Sequence, residues 1–132
     1  MDKQRFNTEY ELQSNVESII WALISTPSGL QKWIADRVEG ADRAMTFTWG
    51  DPDKEHEQRT ANVIQAVRNT LIRFRWDDEV NPEAYWEIRM AKSDLTNDFV
   101  LEITDYALPE DIESLQDIWQ QNFDELHRNT GL

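Results

Sequence analysis

Cysteine is absent from the 132 residues, which excludes disulfides, thiolate metal sites and a cysteine nucleophile and is compatible with a reducing cytoplasm. Long apolar runs are absent too. The longest, Ile19 to Ile24, falls far short of the roughly 18 residues a spanning helix needs, and no apolar secretory core precedes it. Positive charge is scarce: 13 Lys and Arg stand against 26 Asp and Glu, a formal net charge of −13. Such a balance repels phosphate backbones and anionic membranes, so no nucleic-acid partner and no membrane insertion are expected, and the acidity reads first as a source of solubility. Catalytic signatures are missing as well. No Gly-x-Ser-x-Gly elbow or Gly-rich phosphate loop occurs, and His56-Glu57 lacks the second histidine of a zinc protease helix. His56 lies in a charged loop and His127 at a helix end, and neither Asp77-Asp78 nor Asp51 with Asp53 has the spacing of a calcium loop. No metal and no cofactor are expected, and the reading leans away from an enzyme.

What is present is organised around the last two dozen residues. Ile112, Leu115, Ile118, Trp119, Phe123 and Leu126 recur at spacings of three and four, which stacks them on one face of a helix over Pro109 to Leu132. Proline at the start, carboxylates at Glu110, Asp111 and Glu113, then His127, Arg128 and Gly131 mark its two ends. Burying six such side chains stabilises a domain by on the order of 10 kcal/mol, comparable with its whole net stability.

Upstream, Arg5 to Gln13 alternate as a half-buried strand with Phe6, Thr8, Tyr10 and Leu12 on one side. Ser14 with Glu17 predicts a capping box for a helix carrying Val16, Ile19, Ile20, Leu23 and Ile24. Thr26 before Pro27 predicts a second, shorter helix through Leu30, Trp33 and Ile34. Strands separated by turns follow. Met45, Phe47 and Trp49 share one face, and Gly50-Asp51-Pro52-Asp53 predicts a hairpin loop. The runs 57–67 and 70–76 meet at Arg68-Asn69, which sets Gln65, Val63 and Ala61 opposite Ile72, Phe74 and Trp76, or sends Ile64 and Ala66 inward after a one-residue slip. Trp86, Ile88 and Met90, then Phe99, Leu101 and Ile103, complete the inward set. Arg73, Arg75, Glu87, Arg89 and Glu102 mark the polar face. The class is α+β, with a curved antiparallel sheet of six or seven strands wrapped around a long C-terminal helix and two short helices after the first strand. No repeat or linker appears, so residues 1–132 are expected to form one domain.

That order of elements, together with Ile24–Asp36 (ISTPSGLQKWIAD), Phe47–Gly50 (FTWG) and Leu71–Trp76 (LIRFRW), resembles the START-like, or helix-grip, superfamily. Within it the chain is similar to small single-domain proteins related to activators of the large heat-shock chaperone ATPase. The resemblance implies a cavity between sheet and terminal helix and brings a chaperone partner into consideration. The superfamily also hosts lipid carriers, hormone receptors, cyclases and hydrolases, so the fold alone does not set the function.

The residues turned toward that interior are Trp33, Met45, Phe47, Trp49, Trp76, Trp86, Met90, Trp119 and Phe123, with Gln65 and Thr8 as polar handles. Bulky indoles suit a ligand-binding wall and a filled core equally. Glu57, Arg59 and Asp105 are placed near the cavity mouth, where solvated rim charges or a weak surface pair are the plainer reading. The expected function is binding of a small hydrophobic or amphipathic ligand, with chaperone regulation and cyclase or hydrolase chemistry as alternatives.

Overall fold

Period-two alternation becomes pleat wherever one face finds cover, and here five consecutive hairpin steps supply most of the sheet. A computed structural model describes residues 2–51 and 53–132. Its strands are β1 (Gln4–Glu11), β2 (Arg37–Gly40), β3 (Ala44–Gly50), β4 (His56–Val67), β5 (Leu71–Trp76), β6 (Trp86–Lys92) and β7 (Phe99–Ala107). They form one antiparallel sheet in the order β1-β7-β6-β5-β4-β3-β2. Five neighbour pairs follow from short connections. The sixth, β1 with β7, joins the two ends of the chain, pairing Gln4 with Ala107 and Glu11 with Val100. β2 escapes the sequence pattern because it is four residues long and buries only Val38.

The helices are α1 (Glu17–Ser25), α2 (Pro27–Leu30) and α3 (Ile112–Thr130), the last preceded by a 3-10 turn at Pro109–Asp111. Thr26 caps α2 as expected, its Oγ1 accepting from the Gly29 N–H at 3.0 Å. The capping box of α1 does not form: Ser14 Oγ accepts instead from the Val16 N–H at 3.1 Å, and Val16 precedes the helix without a side-chain cap. α2 also stops at Leu30, and Trp33 and Ile34 follow on turns. A Cβ on Gly29 would fall 2.1 Å from the Ala22 carbonyl oxygen and 2.7 Å from the Leu23 Cα, so only glycine lets the two helices meet this closely. The β3–β4 hairpin loop sits where the turn residues predict it, although Pro52 itself lies outside the described residues.

Two facings differ from expectation. Ala61 does pair with Trp76 and Val63 with Phe74, but the register then shifts so that Gln65 pairs with Arg73 and Ala66 with Ile72. Ile64 is thus a bulge residue. Directly opposed residues share a face, so the bulge turns Gln65 outward beside Arg73. On the outer face Glu87 is buried rather than solvated, because Arg73 donates to its Oε1 from Nε at 3.0 Å and Nη2 at 2.8 Å, and Arg89 lies 3.6 Å from Oε2.

α3 crosses the inner face. Trp119, Phe123 and Leu126 are buried, Ile112 and Leu115 are half-buried, and Ile118 remains 52% exposed, which corrects the six-residue stripe to five. Phe123 stacks on Tyr10 of β1 with centroids 5.0 Å apart and lies 6.2 Å from Trp33. Gly131 takes φ 75°, and its N–H closes the helix on the His127 carbonyl at 2.8 Å.

Candidate functional site

The turn after α2, the inner face of β3 to β7 and the exposed side of α3 do not fill the space between them. They enclose a partly open groove of about 930 Å³. Five of the chain's six tryptophans, Trp33, Trp49, Trp76, Trp86 and Trp119, line it. A second cavity of about 120 Å³ shares Arg59, Trp76, Trp86, Asp105 and Leu115 with the first.

Strand register sets these rings in place. Trp86 pairs with Phe74 across β5 and β6 and stacks on it with centroids 4.1 Å apart. Trp76 stacks on Trp86 at 5.3 Å, and Trp49 lies 6.2 Å from Trp76. Three of the indole N–H groups are committed to the protein. Trp33 donates to the Leu23 carbonyl at 3.2 Å, Trp49 to the Ile34 carbonyl at 3.0 Å and Trp119 to Asp105 Oδ2 at 2.9 Å. Those three indoles therefore offer an occupant no free donor, and Trp33 and Trp119 are almost wholly buried. Trp86 differs: its Nε1 is the one buried side-chain nitrogen or oxygen among the described residues without a hydrogen-bond partner.

The charges divide into satisfied and unsatisfied. Arg59 places its guanidinium 4.1 Å above the Trp76 ring and donates to Asp78 Oδ1 at 2.9 Å, and that bond holds the Asp78 carboxyl below the ordinary carboxylate value. Asp105 has no such partner. The residue keeps part of its surface, but its carboxyl lies deep against α3, and burial pushes its pKa up to about 6. Hydrogen bonds from Trp119 and from the Tyr106 backbone N–H, the latter at 2.7 Å to Oδ1, work against that rise without cancelling it.

Of the residues expected to face a ligand, the five tryptophans border the groove, although Trp33, Trp86 and Trp119 are as buried as Met45, Phe47, Met90 and Phe123, which lie in the core beneath it; only Trp49 and Trp76 are half-buried. Gln65 is exposed on the other side of the sheet, and Thr8 is half-buried on β1 outside the lining. Glu57, Arg59 and Asp105 do gather at the groove, but Asp105 is no solvated rim charge. Its signal was present in the alternation: Phe99, Leu101 and Ile103 face inward, and residue 105 continues their parity. His56 Nδ1 lies 2.9 Å from the Lys54 carbonyl, and among the described residues no three His, Asp or Glu side chains converge as a metal site. None of the described helices is long and apolar enough to cross a membrane.

A curved antiparallel sheet closing on a C-terminal helix, with a groove between them, defines the helix-grip class of domain. The chain belongs to the START-like superfamily, whose domain model matches residues 1–132. Among solved structures it is similar to BfR322 of Bacteroides fragilis, determined in solution, at 38% identity and a TM-score of 0.63, covering 97% of this chain and 91% of that one. It is also similar to the Aha1 dimer of Colwellia psychrerythraea at 14% identity and a TM-score of 0.70, covering 97% and 98% of the two chains. The AHSA1-like protein of Aeromonas hydrophila gives 12% identity and a TM-score of 0.72, over 97% and 92%. At the last two identities the likeness concerns the fold. No curated protein matches the chain.

Proposed function

We propose that this chain is a cytoplasmic binding domain that holds a small apolar or amphipathic molecule between its sheet and its terminal helix, without covalent chemistry. The supporting observation is the groove itself: about 930 Å³, bordered by five indoles, of which Trp49 and Trp76 are half-buried, with Lys32, Glu57, Arg59 and Asp105 as polar groups in its lining. Small-molecule pockets occupy roughly 300–1,000 Å³ and combine apolar walls with a few placed polar groups. Native mass spectrometry of gently purified protein is the direct check. A retained small molecule, or a complex formed with one member of a panel of lipids and aromatic compounds, supports the reading. A bare chain throughout, with no heat of binding by calorimetry, removes it.

Asp105 also favours a second reading, a cyclase- or hydrolase-like activity in which its carboxyl exchanges a proton with substrate, since a group with a pKa of about 6 is poised for acid–base work near neutrality. The carboxyl already accepts two hydrogen bonds and no nucleophile stands beside it, so binding is preferred. A ligand recovered chemically altered after incubation would reverse that preference. Regulation of a chaperone ATPase draws support from the Aha1 and AHSA1-like likeness, which concerns fold. Absence of association with the purified chaperone at tens of micromolar would exclude it.

A further inference from the structure

Trp86 places a demand on whatever the groove holds, given the binding function proposed above. Its ring is taken up by the core, 2% exposed and stacked on Phe74 and Trp76. Its N–H has no partner, and folded proteins seldom leave a donor so deeply buried unmet, because the hydrogen bond it gave up in water is not replaced. The indole borders both the groove and the cavity of about 120 Å³, together with Arg59, Trp76, Asp105 and Leu115, and so marks the junction of the two. A molecule lying in the groove reaches that junction with one group. The charges there make no further demand. Lys3 and Arg59 balance Glu79 and Asp105 in the lining of the smaller cavity. Lys3 is tied to Glu79 and Arg59 to Asp78, while both Asp105 oxygens accept, one from the Trp119 indole and one from the Tyr106 backbone N–H. A cation finds both carboxylates engaged, and an anion is pushed away by Asp105, by Glu79 and by a chain whose net charge is −13. An uncharged oxygen accepts from Trp86 and leaves each pair intact.

We propose that the occupant of the groove is an uncharged molecule with an apolar body and one carbonyl or hydroxyl oxygen, and that this oxygen accepts a hydrogen bond from Trp86 Nε1 where the groove meets the smaller cavity. The body lies along half-buried Trp49 toward Ile118, whose exposure on α3 then has a use. Trp86 thereby selects among molecules of one shape by a single atom. A hydrocarbon leaves the donor unmet, and a carboxylate meets it at the expense of a new charge beside Asp105.

Three probes sharing one body separate these cases: benzylacetone, butylbenzene and phenylpropionate, each titrated into the intact chain labelled at its tryptophan nitrogens and followed by nuclear magnetic resonance. Benzylacetone should move the Trp86 indole proton downfield as it binds, and butylbenzene should not. Phenylpropionate should bind more weakly than benzylacetone. Trp86→Phe should weaken benzylacetone about tenfold more than it weakens butylbenzene, since both lose the same packing and only the ketone loses a hydrogen bond. Should that variant fail to fold, the unmodified protein still decides, because the Trp86 signal can be assigned through its nuclear Overhauser contacts to Phe74. A Trp86 signal that benzylacetone leaves in place, for instance because a resident water already holds the donor, overturns the acceptor assignment. So does an equal loss for ketone and hydrocarbon in Trp86→Phe, or tighter binding of phenylpropionate than of benzylacetone. Each of these leaves the binding function standing. No binding by any of the three also overturns the assignment, and removes the binding function only when native mass spectrometry finds a bare chain as well.

Discussion

Asp105 concentrates the tension in this molecule between stability and a prepared site. Its folded-state pKa of about 6 lies above the ordinary value of 3.8, so the folded protein holds this proton more tightly than the unfolded chain does. The group's favourable contribution is therefore complete below about pH 4 and is lost as pH rises through about 6, at a cost of up to about 3 kcal/mol above that point. Lys3, just before β1, and Arg59 of β4 moderate the cost, and Trp119 does so from α3. Asp105→Asn should accordingly gain stability on its parent as pH increases, by roughly 1–3 kcal/mol at pH 8 relative to pH 4. Urea unfolding at the two pH values measures this, and a difference that does not change with pH would contradict it. At this scale the sequence was half legible. Parity along β7 carries on to Asp105, yet the residue was read as a solvated charge at the cavity mouth, because a strand pattern says nothing about whether a helix indole will cover the carboxyl and remove its water. Gln65 was misread because a bulge at Ile64 leaves no mark in the alternation until the partner strand is known.

At the scale of elements, α3 is held by few side chains of great size. Phe123 lies between Tyr10 and Trp33 and is 2% exposed, so Phe123→Ala should cost about 3–5 kcal/mol. Ile118→Ala, three positions along the apparent stripe from Leu115, should cost under about 1 kcal/mol because half of its surface stays in water. Denaturant melts of both variants test whether the helix is anchored at its C-terminal half. The α1–α2 corner offers the opposite kind of site, one with no space at all. Gly29→Ala drives a methyl group into the Ala22 carbonyl, and a loss of at least about 2 kcal/mol is expected; a variant as stable as its parent would show that the corner can open. The spacings in α3 identified the helix and its ends, yet could not separate Ile118 from its buried neighbours, since a stripe only as wide as its cover becomes visible when the cover is placed.

For the whole molecule, the order of strands followed from hairpins, which bring consecutive runs together whatever lies between their ends. The β1–β7 pairing is non-local, and nothing in the spacing announced it. Whether the interior was filled or hollow was illegible, because the volume depends on how far α3 stands from β3 to β5, and tryptophan serves either outcome. The helix nonetheless covers the inner face, and deleting residues 109–132 would expose Phe47, Trp86 and their neighbours at once. Loss of the cooperative thermal transition is expected, read by calorimetric scanning, and a sharp transition in the truncated chain would mean that the sheet sustains its own core.

The gathering of five indoles along one groove has an optical consequence. Trp49, Trp76, Trp86 and Trp119 follow one another at centroid separations of 6.2, 5.3 and 6.3 Å and at angles of 57, 30 and 55°. Chromophores this close and this skewed share their excited states, so far-ultraviolet dichroism should carry an indole couplet superimposed on the backbone signal. Emission should likewise drain from ring to ring before it escapes, with half-buried Trp21 as the outlying lamp.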